Sequence, residues 1–102
     1  MPLIYKVTTK VWEYPGQAAW FFLTIDQNLS AEIKLLNAVQ RGWGAVRVIA
    51  TIGKTNWKTS VFPSKQHSGY ILPLKKLVRI AENIQTDDLV TVELQLVDSI
   101  IV

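Results

Sequence analysis

The sequence contains no cysteine among its 102 residues, so a disulfide framework, a thiolate nucleophile and any cysteine-bearing zinc site are excluded. It has a single histidine, His67, and the nearest acids on its two sides in sequence are Glu82 and Glu32, so a metal site built on it lacks nearby ligands. Ser60 and His67 are a serine–histidine pair on paper, but no Gly-x-Ser-x-Gly elbow accompanies them. No apolar stretch reaches the roughly 18 residues of a membrane span. Residues 1–6, MPLIYK, lack the basic start and apolar run of a signal segment. These absences lead to the expectation of a cytoplasmic, non-catalytic domain with no metal, no cofactor and no membrane partner.

Acidic residues are also missing from one long stretch. Between Ile33 and Ala81 there are nine bases and no acid: Lys34, Arg41, Arg47, Lys54, Lys58, Lys65, Lys75, Lys76 and Arg79. The segment before it carries a net charge of −1 and the segment after it −5, which leaves +3 for the whole chain. A block of one sign points to an anionic partner, unless folding lays the acidic C-terminal segment against it and cancels the field.

What is present is enough for one folded domain. Apolar residues make up 49% and charged residues 19%, too greasy for a disordered chain, and 102 residues are too few for two cores. Four tryptophans in so short a chain offer ring faces for bases or sugars, although a small barrel also fills its centre with large rings, and at least two of the four are expected in the core.

Period-two alternation over residues 3–14 predicts a strand with Tyr5, Val7, Thr9 and Val11 on one face. The Pro15-Gly16 turn joins it to an apolar strand over residues 18–25. Asn28 or Ser30 caps a helix with Leu29, Ile33 and Leu36 inward, ended by Gly42. Residues 47–51 and 55–62 form a hairpin around Gly53, with Trp57, Thr59 and Val61 on one face and Lys58, Ser60 and Phe62 on the other. A polar loop over 63–69 follows, then a short strand 70–72 that stops at Pro73, where a second helix starts. In that helix Leu74, Leu77, Val78, Ala81 and Ile84 form the apolar stripe, leaving Lys75, Lys76, Arg79 and Glu82 to water. Asp87-Asp88 is a turn, and the final strand over 89–97 turns Val90, Val92, Leu94 and Leu96 inward. The expected fold is mainly β: a small six-stranded barrel whose openings two short helices plug.

Trp20-Phe21-Phe22, Gly42-Trp43-Gly44, Ala50-Thr51-Ile52-Gly53, Trp57-Lys58-Thr59-Ser60-Val61-Phe62-Pro63 and Gly69-Tyr70-Ile71-Leu72-Pro73-Leu74-Lys75, with Val78-Arg79 beyond, resemble the pattern of the family catalogued as domain of unknown function 1905. The resemblance covers nearly the whole chain and implies a double-split β-barrel, a fold shared with AbrB-type transition-state regulators, with no established biochemical activity. Where the family usually places a glycine before the final acid, this sequence has Asp87. Nucleic-acid binding enters as the alternative through the analogy with those regulators, but fold alone does not transfer function.

The leading functional expectation is binding of a small anionic or polar ligand or an acidic protein surface. Lys75 and Arg79 lie four residues apart, a like-charge pair that a bound anion relieves, and Thr59, Ser60 and Tyr70 supply hydroxyls from segments preceding them. These five residues are expected to share one polar concavity at the barrel mouth beside Pro73.

Overall fold

Alternating side chains and two short helices produce a single curled sheet. The computed structural model describes residues 3–16, 20–39 and 42–100. The strands are β1 (Ile4–Lys10), β2 (Trp12–Glu13), β3 (Phe21–Thr24), β4 (Val46–Ile52), β5 (Thr55–Ser64), β6 (Gly69–Leu74) and β7 (Leu89–Leu96). Helix α1 (Gln27–Leu36) follows β3, and α2 (Lys76–Ala81) follows β6. Two single 3-10 turns, Gly42–Gly44 and Lys65–His67, precede β4 and β6.

All pairings are antiparallel, in the order β1-β7-β4-β5-β6-β3-β2. Only Val11 separates β1 from β2, so the two outermost strands are consecutive in the chain and the sheet curls until its ends meet. Val11 is fully buried at that seam. Its N–H donates to Asp88 O at 2.9 Å and its carbonyl accepts from Asp87 N at 2.8 Å. The sheet therefore has seven strands rather than six, because the alternating stretch 3–14 is divided at this residue. The mainly β, barrel-like class is as expected.

Inward-facing residues of every long strand build the core, with Val48, Val61, Leu72, Val92 and Leu94 all below 2% exposed. β5 changes partner along its length, pairing with β4 through Val61 and with β6 from Phe62 onward. That switch falls between Val61 and Phe62 and joins the two halves of the sheet.

Several boundaries differ from expectation. Asp26, not Asn28 or Ser30, caps α1, accepting from Leu29 N at 2.8 Å, and the helix ends at Asn37 rather than Gly42. Residues 63–69 are not a loop: β5 runs through Ser64, a 3-10 turn follows, and β6 opens at Gly69. Pro73 neither ends β6 nor starts a helix; it lies opposite Phe22 within the strand. Since Tyr70 O accepts from Ile25 N on the β3 side, strand alternation turns the Pro73 nitrogen to the other side. β5 pairs with β6 only through Ile71, so the missing N–H interrupts no ladder there.

Leu77 is not a core residue; it is 78% exposed, whereas Val78 is buried. The expected stripe joined positions from three kinds of backbone, since Leu74 belongs to β6 and Ile84 follows α2. The six-residue helix itself buries Val78 alone. Tryptophan also behaves differently from expectation: Trp57 packs against the core and Trp12 is half-buried, while Trp20 and Trp43 are exposed.

Candidate ligand cavity

The packing of α1 on β6 begins with one close approach. A Cβ on Gly69 would lie 2.6 Å from Ile25 O and 2.7 Å from Ser30 Oγ, so only glycine fits. Ser30, the buried polar residue of α1, donates from Oγ to Ile25 O at 3.1 Å and accepts from Tyr70 N at 2.9 Å. Beyond this contact the helix and the sheet diverge, and a cavity of about 510 Å³ opens between α1, the start of β4 and the β5–β6 connection.

Its lining follows from helical spacing and turn geometry. Gln27, Ser30, Ala31 and Lys34 recur at three to four residues, presenting the small and polar stripe of α1 while Ile33 is buried in the core. Ser64 ends β5 and Lys65 and Ser68 come from the β5–β6 connection, which a 2.9 Å hydrogen bond between Ser64 Oγ and His67 Nδ1 ties back to the strand. Ala45, Val46 and Pro63 give an apolar side, and Tyr70 contributes from β6. The lining holds two cations, Lys34 and Lys65, and no acid. Neither lysine forms an ion pair with a described residue. Burial raises the Tyr70 pKa above its ordinary value of 10.0, so the phenol stays protonated and can donate a hydrogen bond.

The family model for a domain of unknown function, DUF1905, matches residues 8–94. The chain belongs to the DUF1905 family. A comparison with curated proteins gave no match. The matched span of this DUF1905 domain runs from β1 into β7 and contains every residue that lines the cavity.

Of the five residues expected to share a concavity, Tyr70 is the one that lines this cavity. Lys75 follows β6 at its other end, about 17 Å away at ~3.3 Å per residue. Arg79 sits on α2 with its guanidinium 4.0 Å above the Phe21 ring, so it caps an aromatic residue rather than facing water. Thr59 and Ser60 pair with Val48 and Arg47 on β4 and, as neighbours in a strand, point to opposite faces. The mouth beside Pro73 therefore does not gather the five, because the length of β6 separates Tyr70 from the bases. Ser60 is also not His67's partner, a place that Ser64 takes. The lining residues other than Tyr70 were legible only as the spacing of Gln27, Ser30, Ala31 and Lys34, a second stripe on α1 beside the apolar one.

The basic block of this DUF1905 chain is partly neutralised. β7 lies between β1 and β4, and just beyond it Asp98 takes two 3.2 Å contacts from Arg47 of the block, whereas Glu93 of β7 is 3.5 Å from Lys6, which lies outside it. Arg41 lies outside the described residues. A second concavity, between Gly53, Glu82 and Asp88, carries acids instead, but Glu82 is engaged by Thr55 Oγ1 at 2.6 Å and Asp88 by Gln85 N at 2.8 Å. Among the described residues no three potential metal ligands cluster, and no helix is long and apolar enough to cross a membrane.

Proposed function

We propose that this domain is a non-catalytic binder of a small anionic or polar ligand, held in the cavity between α1 and the β5–β6 connection. The observation that carries the reading is the lining itself: two lysines without ion-pair partners among the described residues, the hydroxyl-bearing residues Ser64, Ser68 and Tyr70, and no carboxylate. Such a surface gains by meeting a phosphate or carboxylate group and offers no acceptor charge to a cation. The apolar side at Ala45, Val46 and Pro63 gives a mixed lining, the usual composition of a small-molecule site.

The test is an amide NMR titration of the intact domain with inorganic phosphate, pyrophosphate and citrate at low and moderate salt. Shifts are expected to cluster at residues 27–34 and 64–70, and Lys34→Gln or Lys65→Gln should each weaken binding about tenfold, the loss of a charge-assisted hydrogen bond of about 1.5 kcal/mol. Saturable shifts around Lys54 and Lys58 instead, or tight binding of duplex DNA that falls steeply with salt, would replace this reading with a surface interface.

A further inference from the structure

Trp43 is the most exposed large apolar side chain among the described residues, at 93%. It makes no ring contact with a described residue. Its backbone is in the left-handed region, φ 64° and ψ 19°, where an aromatic residue is an outlier. Glycines flank it, and the turn is fixed: Ala45 N donates to Gly42 O at 3.3 Å, and a Cβ on Gly44 would come within 3.1 Å of Pro63 Cγ. Gly44, Ala45 and Pro63 all belong to the cavity lining, so the strained residue is attached directly to the cavity wall.

The fold gains nothing from an indole here. It buries almost no surface, and glycine would adopt the same backbone without strain. A strained and solvated ring on a turn whose next two residues line a cavity is accounted for by a contact made only when the cavity is filled. Resting on the reading of the cavity as an anion site, we infer that Trp43 is a stacking platform for a planar ring, so that the ligand is an aromatic or heteroaromatic phosphate or carboxylate. The two lysines take the anionic group and the indole takes the ring. A cavity of about 510 Å³ is within the usual range for such a molecule. Ring stacking on a tryptophan tolerates any planar partner, so the lysines fix the orientation and the indole adds affinity.

Calorimetric titration of the intact domain with AMP, adenosine and inorganic phosphate tests this. AMP is expected to bind at least tenfold more tightly than phosphate. Trp43→Gly should abolish that advantage while leaving phosphate affinity unchanged and the melting temperature equal or higher, and Trp43→Phe should keep most of it. If AMP binds no better than phosphate, or Trp43→Gly leaves AMP affinity within twofold, the ring platform is overturned while lysine-dependent phosphate binding keeps the cavity reading intact. A melting temperature lowered by Trp43→Gly would overturn it too, by giving the indole a structural role. No binding of any of the three at millimolar concentration overturns both readings.

Discussion

The hydroxyl of Ser30 accepts a hydrogen bond from the backbone nitrogen of Tyr70 at 2.9 Å, forty residues away in sequence and fully inside the protein. Through that bond and its own donation to Ile25 O, one small side chain fastens α1 to β6. Ser30→Ala leaves both a buried N–H and a buried carbonyl short of a partner and should cost about 1–3 kcal/mol in urea unfolding.

Gly69→Ala should be more damaging than alanine at Gly16, Gly42, Gly44 or Gly53, because the added methyl meets the backbone of Ile25, which cannot move without disturbing β3 and the Asp26 cap of α1. Loss of cooperative unfolding, or failure to accumulate folded protein, is the expected result. A variant as stable as the parent would show that α1 can lift from the sheet.

Leu77 and Val78 are adjacent and should respond oppositely. Leu77→Ala removes a side chain that is 78% exposed and should change stability by less than about 0.5 kcal/mol. Val78→Ala opens space in the core and should cost about 2 kcal/mol, read from the urea midpoint.

Asp87 has φ 72°, the backbone that glycine adopts freely. Its N–H bond to Val11 O is a backbone bond that survives substitution. Asp87→Gly should therefore raise stability by up to about 1 kcal/mol, the left-handed cost relieved less the extra freedom of the unfolded chain.

Burial raises the pKa of Tyr70, so its folded form resists ionisation while the unfolded form ionises near 10.0. The stability it contributes is fully present below pH 10.0 and is lost as pH rises from there through the folded pKa. Unfolding measured between pH 8 and 11.5 should show a steeper alkaline decline for the parent than for Tyr70→Phe, which has no group to titrate.

The strands were legible where one face is buried and the other is wet. Val90, Val92, Leu94 and Leu96 alternate with Thr91, Glu93 and Gln95 and all four are buried. The positive-φ turn at Gly53 was legible for the same local reason, since a hairpin with that conformation at its first turn residue favours glycine. Pro73 was not legible, because whether proline fits a strand depends on whether a neighbour occupies the side its nitrogen faces, and that is set by where β5 ends. The cavity was hidden for a similar reason. Its polar residues come from a helix and a connection that only the partner switch in β5 brings together, whereas the charge pattern drew attention to the bases after Pro73. Trp43 was visible as one of four tryptophans, but the backbone strain that singles it out is a property of the folded turn.

Because Val11 joins β1 to β2, and among the described residues β1 pairs only with β7, the sheet cannot close early. Every β1 pair, from Lys10 opposite Leu89 to Ile4 opposite Gln95, spans most of the chain. The β4–β5 hairpin can assemble from local contacts, but β1 and the outer side of β4 wait for β7. Such non-local pairing slows folding, since the loop must be closed before the contacts reward it. During synthesis, two unsatisfied strand edges stay open until residue 96 leaves the ribosome, and that interval is when this domain is most exposed to self-association.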